Sequence, residues 1–235
     1  MSSTTPTSVA DPAFAAPTWA DGLKELRTGW DAMRLAARTP TLLRAPRGDG
    51  RAVVLIPGFR ATDASLLPLR SFLAQRGHDA RPWGLGTNSG DLEDLLEQTQ
   101  ASVRRVAEET GHPVNLVGWS LGGVYARETA RDHPDIVHRV ATFGTPLLGP
   151  RYTLGRPAYP EAELQRIDAM IEERSQRPID APVKVIYSRN DGIVDWRTCP
   201  DRQTPGAVNV EVASSHIGMG LDPTVWMHLA RWFRV

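Results

Sequence analysis

Short apolar runs rich in β-branched residues recur along this chain, and most are followed by a segment with helical spacing. Arg51–Ile56 reads RAVVLI and ends at Pro57-Gly58, and Val114–Gly118 reads VNLVG. His138–Phe143, Val183–Ser188 (VKVIYS) and Ala207–Val212 (AVNVEV) follow, with Asp79–Trp83 as a further candidate strand. Runs such as VVLI show no polar alternation, so they suit strands buried on both faces, as in a parallel sheet covered by helices. The intervening helical segments are Ala64–Arg76, Asp91–Thr110, Ser120–Arg131 and Asp222–Phe233. In the second, Leu92, Leu95, Leu96, Val103 and Val106 share a side, with Asp91 as N-cap and Gly111 as C-cap. This alternation predicts an α/β layer sandwich with a mostly parallel sheet of roughly six strands flanked by helices.

Two stretches break the alternation. Residues 1–17, rich in Ser, Thr, Pro and Ala, read as a disordered tail ahead of a single domain over 18–235. In 18–39, Trp19, Leu23, Leu26, Trp30, Met33 and Ala37 recur in steps of four and three, which predicts an amphipathic N-terminal helix ending before Pro40. Such a stripe suits packing on its own domain. A membrane surface, lipid or partner is the alternative, and the mixed charge of the polar face favours the first. Residues 146–182, with several prolines and a charged helical piece Glu161–Arg174, read as an insertion between strands and a candidate cap.

The chain of 235 residues is long enough for one substantial core. Lys+Arg and Asp+Glu balance at 27 each, which removes the long-range pull that nucleic-acid binding needs. A lone cysteine, Cys199, allows no internal disulfide, and no C-x-x-C or H-E-x-x-H spacing suggests a metal. No apolar run approaches the ~20 residues that span a bilayer, and the N-terminal stretch lacks the pattern of a signal peptide. The expectation is a cytoplasmic protein that needs neither metal nor organic cofactor.

Chemistry concentrates at one junction. Gly118-Trp119-Ser120-Leu121-Gly122 is G-x-S-x-G, set between a predicted strand and a predicted helix. A sharp turn there forces the serine into a strained conformation, and the glycines remove the Cβ atoms that would collide. The alternative is a plain helix start with Ser120 as N-cap. A nucleophilic serine needs a base, and the base needs an orienting acid. His216 sits in a loop after the strand AVNVEV, at the sheet edge where such folds gather functional groups. The other five histidines, His78, His112, His133, His138 and His228, fall in turns, at a strand start or inside a helix. Asp191 follows VKVIYS and precedes Gly192, and it is preferred as the acid over Asp195. The N–H groups of Phe59, after the first strand, and of Leu121 are the candidate oxyanion donors. Trp83, Trp119, Leu147 and Leu148 are candidate walls of an apolar substrate pocket.

Five stretches together resemble the α/β-hydrolases, in particular small bacterial lipases and esterases. They are PGF at 57–59, GWSLGG at 118–123, FGTPLLG at 143–149, YSRNDGIV at 187–194 and SSHIGM at 214–219. The resemblance implies Ser120 as nucleophile, Asp191 as acid, His216 as base, and an acyl-enzyme route to ester hydrolysis. Two departures stand out. Pro57-Gly58 replaces the frequent His-Gly, and the N-terminal helix takes the place of additional antiparallel strands. Thioesterase and acyltransferase activities use the same parts, and a non-catalytic lipid- or partner-binding protein on this fold is the contrasting reading.

Overall fold

The computed structural model describes residues 14–234. Its centre is a six-stranded sheet: β1 (Ala52–Ile56), β2 (Asp79–Pro82), β3 (Val114–Trp119), β4 (Val137–Phe143), β5 (Val183–Ser188) and β6 (Val208–Val212). The spatial order is β2-β1-β3-β4-β5-β6, and every pairing is parallel. Every residue of β1 is buried, as an apolar run without alternation requires.

Helices cover both faces. On one lie α3 (Leu67–Gln75) and α7 (Pro223–Trp232), where Leu69, Phe72, Trp226 and Leu229 meet Val53, Leu55 and Phe143. On the other lie α4 (Leu92–Thr110) and α5 (Leu121–Asp132), where Leu95, Val103, Tyr125 and Ala126 meet Val54, Ile56 and Leu116. The chain leaves β1 for one face and β3 for the other. A crevice therefore opens at the carboxyl ends of these two neighbours, the usual place for a site in such sheets.

The N-terminal segment departs from expectation in three ways. It is broken into a short helix α1 (Trp19–Gly22), a 3₁₀ turn (Leu23–Arg27) and a longer helix α2 (Thr28–Leu42). It also runs through Pro40, although that residue offers no N–H. A proline inside a helix costs about 3 kcal/mol or more, and burial of Leu42 offsets part of it. Most consequentially, the stripe faces outward: Trp19 is 87% exposed, Leu26 80% and Trp30 59%. The segment packs on its own domain through the other side, where Glu25, Thr28 and Asp31 meet loop backbone and side chains and Leu35 and Leu42 meet the core.

Of the tail expected over 1–17, residues 1–13 lie outside the described residues, while Phe14 packs edge-on against Tyr152 with ring centroids 5.8 Å apart. The insertion between β4 and β5 forms two 3₁₀ turns and α6 (Glu161–Ser175), anchored by buried Leu164 and Ile167. Among the described residues no helix is long and apolar enough to cross a membrane.

Candidate active site

Ser120 sits where β3 ends and α5 begins, at φ 53° and ψ −125°, a left-handed conformation rare outside glycine. Two glycines make this possible. A Cβ on Gly118 would lie 2.3 Å from Gly123 Cα, and one on Gly122 would lie 2.2 Å from Ile56 O. The backbone holds the turn through Ser120 N–H to Phe143 O at 2.9 Å. The Ser120 side chain makes no capping bond to α5, so its hydroxyl is not spent on starting the helix. Leu121 is the first residue of that helix, and its N–H is one of the donors that a helix leaves without an internal partner.

The loop after β1 approaches closely: a Cβ on Gly58 would lie 3.1 Å from Ser120 Cβ. Arg60 and Ala61 give their N–H groups to Asn88 O and Gly58 O, whereas Phe59 N–H has no acceptor among the described residues. Asn88, fully buried, clamps this loop. Its Nδ2 donates to Pro57 O at 2.9 Å and its own N–H to Ala61 O at 2.9 Å.

Asp191 and His216 are 25 residues apart in sequence and hydrogen-bonded in space, Nδ1 to Oδ2 at 2.7 Å. Both are at least 97% buried. Oδ1 of Asp191 accepts the N–H groups of Ile193 at 2.9 Å and Val194 at 2.7 Å, which orients the carboxylate. A carboxylate facing Nδ1 keeps the proton there, so neutral His216 has its lone pair on Nε2. Burial disfavours the imidazolium, Asp191 and then Glu25 favour it, and the balance lies above the ordinary 6.5. Asp195, the less preferred candidate, is held by Arg197 at 2.7 Å.

Ser120, Phe59, Leu121, Trp119 and His216 border one cavity of about 540 Å³. The Trp119 ring lies 5.9 Å from the His216 ring and 6.3 Å from that of Phe143. Leu147 and Leu148 also border the cavity, with Ile167, Met170 and Ile171 of α6 forming another wall. Trp83 does not. It is fully buried beneath α4, donates Nε1–H to Thr99 Oγ1 at 2.9 Å and stacks with Tyr125. An aromatic after a strand end fills core or pocket equally well by type, and here the buried hydroxyl partner decides.

Two contributors escaped the sequence analysis. Asn88 acts through backbone groups far along the chain, and Glu25 lies on a helix whose apolar stripe drew attention to its other side. His78, expected in a turn after Gly77, is buried beside Phe233, and burial holds its ring below the ordinary value. Cys199 is fully buried, and burial with the nearby Asp191 and Asp195 raises its thiol well above the usual range.

No curated protein matches the sequence. Residues 53–234 match the model of a family described as the alpha/beta hydrolase family. Similar solved structures include a Bacillus licheniformis lipase, BlEst2, at 14% identity and TM-score 0.62, covering 81% of this chain and 94% of that one. A Paleococcus ferrophilus monoacylglycerol lipase aligns at 17% identity and TM-score 0.57, covering 80% and 96%. A structure from a study of the metagenome-derived lipolytic enzymes LipS and LipT aligns at 18% and 0.60, covering 80% and 94%.

Proposed function

We propose that this chain, which belongs to the alpha/beta hydrolase family, is a serine hydrolase that cleaves carboxylic esters through an acyl-enzyme. One observation carries the reading: a buried Asp191–His216 pair and a strained, uncapped Ser120 open on the same cavity. In the first half-reaction His216 Nε2 takes the proton from Ser120 Oγ as the oxygen attacks the ester carbonyl. Asp191 steadies the resulting imidazolium. The N–H groups of Phe59 and Leu121 receive the negative charge that develops on the carbonyl oxygen. His216 returns the proton to the departing alcohol, and water releases the acid by the same steps in reverse order.

The walls speak to acyl length. Leu121 and Val124 of α5 border the cavity near Ser120, but further along the same helix the lining turns to Arg127, Glu128 and Arg131. These are ion-paired, Arg127 with Asp201 at 2.8 Å and Arg131 with Glu128 at 3.1 Å. Arg127 is seven residues beyond the serine, so the apolar part of the α5 wall is about 10 Å long at the rise of an α-helix. An extended chain advances about 1.2 Å per bond, so about eight bonds fit before paired charges intervene. Esters of short and medium acids are therefore the favoured substrates.

Hydrolysis of p-nitrophenyl esters of graded chain length tests both parts. Activity is expected to peak at or below medium length and to fall for long chains. Ser120→Ala should lower turnover by about 10³-fold or more and abolish labelling by a fluorophosphonate. Equal activity in wild type and Ser120→Ala would end the enzyme reading.

A further inference from the structure

Glu25 stands in the 3₁₀ turn of the N-terminal segment with its carboxylate turned inward. Oε1 accepts the N–H of Gly192 at 3.0 Å and that of His216 at 2.9 Å. Oε2 accepts the N–H of Ile217 at 2.8 Å. One carboxylate thus holds the backbone beside Asp191, the backbone of His216 and the residue after it. We propose that Glu25 is a positioning residue: it ties the loop that carries the acid to the loop that carries the base, and so sets how the imidazole is presented to Ser120. This rests on the serine-hydrolase reading above.

Three physical points support the assignment. First, backbone N–H groups bonded to an ionised carboxylate form shorter, stronger bonds than neutral pairs do, and three converge here. The same loops are otherwise joined by the Asp191–His216 bond, by the β5–β6 pairing and by Asn190 Nδ2 to Ala213 O at 2.9 Å. Second, the segment meets the acid loop backbone to backbone. A Cβ on Gly192 would lie 2.4 Å from Asp21 O, so no larger residue fits between them. Third, Asp191 from the β5 loop and Glu25 from the N-terminal segment are the two anions that act on the imidazole. The other charges nearby are committed elsewhere. Asp31 receives Ser215 N–H and pairs with Arg34, and Arg197, on the cavity wall, pairs with Asp195. Glu25 therefore favours the imidazolium formed when Ser120 gives up its proton, without touching the substrate.

The test uses Glu25→Gln and Glu25→Ala, with Trp30→Ala on the outward face as control. The His216 ring is titrated by NMR, and kcat and KM for a p-nitrophenyl ester are followed across pH. In Glu25→Gln the ring should titrate at lower pH than in wild type, and the acid limb of the rate profile should move the same way. Glu25→Ala should lose up to about 10²-fold in kcat with KM little changed, the effect of a small misplacement of the base. Trp30→Ala should match wild type in both readouts. A Glu25→Ala variant with wild-type kcat, or with a loss confined to KM, would overturn the proposal. If Glu25→Ala does not fold, Glu25→Gln decides: its amide oxygen still receives Gly192 and His216, but Ile217 loses its acceptor and the negative charge is gone, so kcat and ring titration both equal to wild type would overturn the proposal. If wild type cleaves no ester and takes no fluorophosphonate, the hydrolase reading fails by itself. Ring titration in Glu25→Ala and Glu25→Gln is then still read, and values matching wild type in both overturn the proposal by themselves.

Discussion

Ser120 keeps a positive φ that only its glycine neighbours permit, and Asp191 keeps its two oxygens in separate tasks. That division predicts what Asp191→Asn does. The amide oxygen would keep the bonds from Ile193 and Val194, so the amide nitrogen would face Nδ1. His216 would then carry its proton on Nε2, where it cannot accept one from the serine. Turnover is expected to fall by about 10³–10⁴-fold with thermal stability nearly unchanged. On the serine-hydrolase reading, kcat/KM of the wild type should rise with pH through a limb lying above the ordinary histidine 6.5, because His216 would have to be neutral to act as base and its neighbours hold its proton. At this scale the sequence was most readable where chemistry and backbone strain coincide in a few adjacent letters, as in Gly118–Gly122. It was mute for Glu25, whose bond to His216 spans 191 residues and uses main-chain donors that any residue type would offer.

Periodicity in the N-terminal segment marks which residues share a face, but it does not say which face looks inward. Hydrophobicity alone would bury Trp19, Leu26 and Trp30. The loops beneath present unpaired N–H groups instead, and acceptors on Glu25 and Asp31 answer them. The usual ranking of substitutions should therefore invert. Trp19→Ala, Leu26→Ala and Trp30→Ala are each expected to change stability by about 0.5 kcal/mol or less, because those side chains are already in water. Asp31→Ala should cost about 1–3 kcal/mol by stripping the acceptor from Ser215. Denaturant midpoints measure both. β1, by contrast, was legible almost to the residue, since burial on two faces leaves an unbroken apolar run, whereas the edge strands β2 and β6, mostly not buried, were legible from their place in the alternation.

Across the whole molecule, proton binding sets the pH range of stability. Burial holds His78, His138 and His228 below the ordinary 6.5, so the unfolded chain binds more protons as pH falls under that value and stability is lost. His216 works the other way. Its contribution is present below 6.5 and lost as pH rises through its raised folded value. Thr18 holds Asp21 down to about 2, and against burial Arg127 holds Asp201 low, so these stabilise above the ordinary 3.8 and fail beneath it. Melting temperature should decline gently below about pH 6.5 and steeply below about pH 4. His78→Leu should flatten the first decline, and an unchanged slope would refute that origin. The reach of Glu25 across the chain also orders events during synthesis. Its segment is made before the loops whose N–H groups it must grip, those of Gly192 and His216, which lie 167 and 191 residues further on, so the turn waits, unanchored, until those loops have been made. A nascent chain therefore carries Ser120 well before the loop of His216 is tied in place, and the grip of Glu25 closes only after both have emerged.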